Sequence, residues 1–188
     1  MITDRIIEMN VMLATENKYS EMLYAIKKFG SVSGKEALQN IMYFVSIKSN
    51  TYSFQWNKYG PYSEELKHTF DYALIEGTID YYPIDVHVTN GQKFNIRLTS
   101  QGEELLSSSV PNNYARESID FAYRILKNKS PIQMELLASV HYIGKYNGGK
   151  TNVLFVLDIL RKLKPNVIFK QEDINSVIEE LKELKLAV

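Results

Sequence analysis

The chain has 188 residues, 22 Lys and Arg against 22 Asp and Glu, no cysteine, and 45% hydrophobic residues. That length suits one large domain or two small ones, and the composition is that of an ordinary globular protein. Lack of cysteine excludes disulfides and thiolate metal sites and fits a reducing compartment, so a cytoplasmic protein is expected.

The charge balance is uneven along the chain. Residues 1–110 carry 10 basic against 13 acidic side chains, and residues 111–188 carry 12 against 9. A mildly acidic first half argues against strong nucleic-acid affinity, because phosphate neutralisation supplies most non-specific binding. No apolar run approaches the roughly 18 to 20 residues of a membrane helix. Met1-Ile2-Thr3-Asp4-Arg5 lacks a cationic lead before an apolar core, so neither a membrane partner nor a signal peptide is expected.

In chain order, the periodicity predicts a short helix over 3–15 (Ile6, Ile7, Met9, Leu13) and a second over 19–29 (Leu23, Ile26), stopped by Gly30. Ser31–Gly34 reads as a turn, and a third helix over 35–47 carries Leu38, Ile41, Met42 and Val45 at core spacing. Tyr52, Phe54 and Trp56 alternate with polar residues as in a half-buried strand. Tyr59-Gly60-Pro61-Tyr62-Ser63 closes that strand, and Ser63 caps a fourth helix ending near Gly77. Leu66, Phe70, Ala73 and Leu74 share its inner side.

Thr78–Tyr82 reads as extended, and 86–98 as a hairpin about Asn90-Gly91. A three-residue loop, Thr89-Asn90-Gly91, is preferred because it pairs Val86 with Phe94 and Ile84 with Ile96 on one apolar face. Thr99 caps a short helix through Leu106, and Ser107–Asn113 reads as a linker. Four helices are expected beyond it. The second starts at Ser130-Pro131-Ile132-Gln133 with a capping box, and the third, 152–163, is apolar nearly all round and so needs cover on more than one side. The expected fold class is mainly α with a small β-hairpin. An N-terminal helix (1–17) and a winged helix-turn-helix domain (18–107) are joined by a linker (108–113) to a helical C-terminal domain (114–188).

Gly144-Lys145-Tyr146-Asn147-Gly148-Gly149-Lys150-Thr151 matches the phosphate-loop pattern G-x-x-x-x-G-K-[ST]. Backbone amides there would wrap phosphates, with Lys150 on the outer phosphates, Thr151 on magnesium, and Gly144 and Gly149 giving the turn room. The context argues for a plain turn between helices, because a phosphate loop follows an early strand of a parallel sheet and the 37 residues after Thr151 read as two helices. Glu65 and His68 have a Glu-x-x-His spacing without a second copy, and His87 and His141 have no ligand spacing, so no metal or other cofactor is expected. No pair of carboxylates and no Ser-His-Asp set points to catalysis, so a non-enzyme is expected. The dense aromatics Tyr52, Phe54, Trp56, Tyr59, Tyr62, Tyr72, Tyr81 and Tyr82 read as core or protein interface ahead of a base-stacking platform.

With these residues in view, the chain resembles the YwgA-type family of uncharacterised bacterial and archaeal proteins. The likeness rests on Gly34-Lys35-x-x-Leu38-Gln39-x-Ile41-x-Tyr43, Phe54 and Tyr59-Gly60-Pro61-Tyr62-Ser63-Glu64-Glu65-Leu66, and more loosely on Glu135-Leu136-Leu137-Ala138 and Leu163-Lys164-Pro165. The resemblance implies a winged-helix-like fold and brings no catalytic residues. By fold analogy, the first reading is a DNA-binding transcriptional regulator, with the fourth helix in the major groove and Lys67, His68, His87, Lys93 and Arg97 contacting double-stranded DNA. The outward carboxylates Glu64 and Asp71 oppose it. The alternative is a module for protein interaction or homodimerisation that keeps the fold without DNA, and the third reading is nucleotide binding at Gly144–Thr151.

Overall fold

A computed structural model describes residues 2–58, 60–84, 93–149, 151–165 and 167–186, with side chains described from residue 16 onward. The protein is mainly helical, with two small antiparallel hairpins. Contacts gather the chain into two units, residues 1–54 with 63–128, and residues 55–62 with 129–188.

The first unit opens with α1 (Ile2–Phe29), one continuous helix where two were expected. Glu16-Asn17-Lys18 is polar but holds neither Gly nor Pro, so nothing there breaks the hydrogen-bond ladder. The helix stops as expected, with the Gly30 amide donating back to the Ile26 and Lys27 carbonyls at φ 73°. Helix α2 (Lys35–Ser49) follows, then α3 (Glu64–Ile75), whose N-cap Ser63 accepts from the Leu66 amide as expected. Gln39 on α2 pins that cap from both sides: its amide donates to the Ser63 carbonyl at 3.0 Å, and the Ser63 amide donates to its oxygen at 2.8 Å. Helices α4 (Ser100–Ser108) and α5 (Asn113–Leu126) complete the unit, with Thr99 and Asn112 as caps and α5 packed on α1 and α2. Met22, Leu23, Ile26, Phe44, Leu66, Ile96 and Ile119 form the core.

Strands β3 (Ile79–Ile84) and β4 (Lys93–Leu98) pair antiparallel, in a register that differs from the expected one. Ile84 lies opposite Lys93, and Ile96 opposite Tyr81. This register puts Ile79, Tyr81 and Pro83 against Leu98, Ile96 and Phe94 on one face, three apolar pairs where the expected loop secured two. It also sets Asp80 against Arg97 on the other face, 3.1 Å apart. The expected turn at Thr89–Gly91 lies outside the described residues. Val32, in what was expected to be a plain turn, bridges Ile96 by two backbone bonds of 2.9 and 2.8 Å.

In the second unit the expected 52–56 strand shortens to β1 (Gln55–Asn57), paired with β2 (Gly60–Tyr62). Gly60 has φ 106°, and a Cβ there would stand 3.0 Å from Ser139 Oγ, so both backbone and space require glycine. Helix α6 (Pro131–Tyr146) starts with the capping box read from sequence; α7 (Val153–Leu163) and α8 (Gln171–Glu183) pack with it. Helix α7 buries Val156, Leu157 and Leu160 while Leu154 stays 63% exposed, so one face is covered rather than all of it. Among the described residues no helix is long and apolar enough to cross a membrane.

Candidate functional site

A cleft of about 580 Å³ opens in the first unit between α1, α3 and α4. Leu23, Thr78 and Leu106 form its buried floor, and Glu16, Glu76 and Glu104 stand exposed around it, one from each side. Tyr19 and Tyr72 meet edge to face at 5.3 Å on one wall, with the Tyr72 ring half exposed. The Thr78 hydroxyl donates to the Ala73 carbonyl, which leaves its oxygen to accept from Tyr19 at 2.5 Å. Burial pushes the Tyr19 hydroxyl above its ordinary value, and Tyr72 and Glu76 add to the rise against that bond. Gln101 donates to the Glu76 carbonyl at 2.9 Å and fixes the end of α3 at the cleft edge. The cleft therefore offers carboxylates that accept from hydroxyls or hold a water, beside an aromatic face.

Elsewhere in the unit, α1 buries Glu21, whose carboxylate accepts from Thr51 at 2.5 Å, and Thr51 in turn lies 2.6 Å from the Ser49 hydroxyl. Burial raises the Glu21 carboxyl above 4.5 despite these bonds and Lys18. The folded state thus holds this proton more tightly than the unfolded chain. The stability Glu21 contributes is complete below pH 4.5 and is lost as pH rises through the raised value. Glu21→Gln keeps the acceptor for Thr51 without the charge. It is expected to melt above the parent at about pH 7, with the gap closing near pH 4. Equal melting temperatures at the higher pH would refute this.

The second unit buries a cation. The Lys164 side chain is 3% exposed; its ammonium pairs with Glu135, sits 3.5 Å from Ser139 Oγ, and lies 5.6 Å from the centre of the Trp56 ring. Trp56 in turn packs on Tyr142 of α6 at 5.8 Å, so this one ring ties the β1–β2 hairpin both to α6 and to the Lys164 ammonium at the end of α7. Sequence reading missed Glu21 and Lys164 because their partners lie 30 and 29 residues away. Burial of the two ionisable groups was their only signal.

The residues predicted to read DNA do not form a free basic face. Lys67 pairs with Asp71 at 3.0 Å, and Arg97 with Asp80 while covering the Tyr82 ring at 4.8 Å. His68 and Lys93 are exposed, and His87 lies outside the described residues. The phosphate-loop match is a turn between α6 and α7. Gly144 is buried inside α6, and its carbonyl accepts from the Asn147 and Gly149 amides. Gly148 and Gly149 turn with positive φ, and Lys150 is outside the described residues. Asn152, just past Thr151, caps α7.

No family model matches this chain. It is similar to the DNA ADP-ribosyl glycohydrolases of Mycobacterium bovis (strain BCG / Pasteur 1173P2) and Mycobacterium tuberculosis (strain ATCC 25618 / H37Rv), 25% identical to each over 156 residues. The match covers 74% of this chain and 42% of each relative, so the chain spans about two fifths of the length of the curated relatives it matches. The similarity overturns the expectation of a non-enzyme. Proteins named as hydrolases replace the transcriptional regulator, and the non-enzymatic interaction module falls with it. Lys67 and Arg97, two of the cations expected on phosphates, are paired with Asp71 and Asp80.

Proposed function

We propose that this chain works in the hydrolysis of ADP-ribosyl groups from DNA. The observation that carries the reading is the similarity over about three quarters of the chain to two proteins named for that activity. The cleft of the first unit supports it chemically. Breaking a glycosidic bond requires water to add to the sugar carbon while the leaving group takes a proton, and carboxylates are the usual groups that move those protons. Glu76 and Glu104 are the candidates for this exchange. Glu16 and Ser20 accept from or donate to ribose hydroxyls, and the open face of Tyr72 takes a base.

The first unit is read as a winged helix. In support, α1, the Val32 bridge, α2, α3 and the β3–β4 hairpin follow one another in the order of that fold, and Val32 joins the hairpin as a short third edge. The partial span of the match favours a second form of the same function, in which this chain is the part of a glycohydrolase that holds the modified DNA and the bond-breaking groups lie in the portion it does not match.

Incubating the purified chain with an ADP-ribosylated oligonucleotide and measuring free ADP-ribose tests both forms. The first predicts release, slowed by about 10²-fold or more in Glu76→Gln or Glu104→Gln. The second predicts no release but tighter binding of the modified than of the bare oligonucleotide. Neither release nor preferential binding would end the proposal.

A further inference from the structure

The ends of α1, α2 and α5 in the first unit enclose an open hollow of about 470 Å³, lined by Lys28, Lys48, Tyr123 and Arg124 together with Glu117 and Asp120. Its charges do not cancel evenly. Asp120 is taken up by Lys28 at 2.6 Å. Among the described residues neither Lys48 nor Arg124 has a carboxylate within ion-pair reach, which leaves two cations against Glu117. Lys127 adds a third beside them, 5.7 Å from the Tyr123 ring centre.

Lysines in the last turn of a helix are ordinarily explained by the carbonyls of that turn, and Lys28 and Lys48 hold such positions. Lys48 is held differently. Its ammonium stands 4.3 Å from the centre of the Phe121 ring, and the Tyr114 hydroxyl donates to its carbonyl, so α5 fixes both ends of the residue. Tyr123 is likewise fixed, edge-on to Phe29 at 5.1 Å, with Lys28 5.3 Å from its ring centre. An ammonium, a guanidinium and an aromatic ring, two of the three anchored in place, thus line one hollow.

We propose that this hollow is a phosphate-binding site for a nucleic-acid strand, with Arg124 and Lys48 on a backbone phosphate and Tyr123 against the adjoining base. The guanidinium fork suits phosphate oxygens, and an aromatic ring beside a cationic groove is the pattern of single-strand recognition. The same chemistry would take the diphosphate of free ADP-ribose, and the experiment separates the two sources. The cleft between α1, α3 and α4 does not supply this contact, since among the described residues no lysine or arginine lines it.

The test is anisotropy of a labelled, unmodified single-stranded oligonucleotide with the whole chain across a salt series. It reads binding without turnover, so its outcome is independent of whether the chain hydrolyses anything. Lys48→Gln with Arg124→Gln is expected to weaken binding about tenfold and to flatten the salt slope by roughly 0.7 for each phosphate no longer neutralised. Lys162→Gln, an exposed lysine in the second unit, is expected to change neither. Both substituted side chains are exposed, so melting should be unaltered, and Lys48→Arg should retain binding. Displacement of the oligonucleotide by ADP-ribose, at concentrations where inorganic pyrophosphate fails, assigns the hollow to the free diphosphate nucleotide; no displacement assigns it to the strand. Parent-like affinity and salt slope in the double variant, or no binding of either ligand by the parent chain, overturns the proposal.

Discussion

Replacing Lys164 by alanine should lower the stability of the second unit by roughly 3 kcal/mol, within the range found when one partner of a buried ion pair is removed. Three effects coincide at that residue. Glu135, itself 28% exposed, is left without its cation; the Trp56 ring is left without the ammonium above it; and removal of the buried Lys164 stem opens a void beside Ser139. The chain has a single tryptophan, Trp56, and it belongs to this unit, so its emission during denaturant unfolding reports the effect directly. Lys164→Met combined with Glu135→Leu should recover most of the stability, because a packed apolar pair replaces the desolvated ionic one. A midpoint for Lys164→Ala equivalent to less than about 0.5 kcal/mol would show that the pair is incidental.

Acid should unfold the same unit through His141. This histidine is buried in α6, and burial, helped by the nearby Lys145, lowers its pKa from 6.5 to about 4. The folded state therefore favours the neutral ring. The stability that follows is present above the unfolded value of 6.5 and is lost as pH falls through about 4. The gap between the two values corresponds to roughly 3 kcal/mol at the acid limit. Trp56 emission should show a falling denaturant midpoint between these pH values, and His141→Asn, neutral throughout, should flatten that fall. An unchanged acid limb in the variant would assign the effect to other groups. Glu21 in the first unit acts in the opposite direction, gaining stability where His141 loses it.

What could be read from the residues was local. The Ser63, Thr99 and Ser130 caps and the Gly30 stop depend on neighbours three or four positions away, and each stands where its spacing places it. The β3–β4 register is decided by Ile79 and Tyr81, whose apolar pairs outweigh the pairing expected from Val86 and Ile84 alone. The two expected helices merge into α1 because a polar stretch is no break, where Gly or Pro would have made one. The cleft could not be read in advance. Glu16, Glu76 and Glu104 are unremarkable surface carboxylates until α1, α3 and α4 bring them around one opening. The helix expected over 152–163 ends at Leu163 as α7 does, yet its bounds say nothing of where the Lys164 ammonium goes.

The placement of residues 55–62 has a consequence for anyone who cuts this chain. The hairpin belongs to the second unit but is threaded through the sequence of the first, which the backbone leaves at Phe54 and rejoins at Ser63. The two units are therefore discontinuous, and no single scission divides them. Ending the polypeptide after Asn128 strands Trp56 and Gly60 without Tyr142 and Ser139, while expressing 129–188 alone deprives Lys164 of its ring. Truncations at residue 128 should consequently yield two insoluble halves, whereas a cut between Asn57 and Gly60 keeps every element of both units present, the two fragments held by packing rather than by the chain.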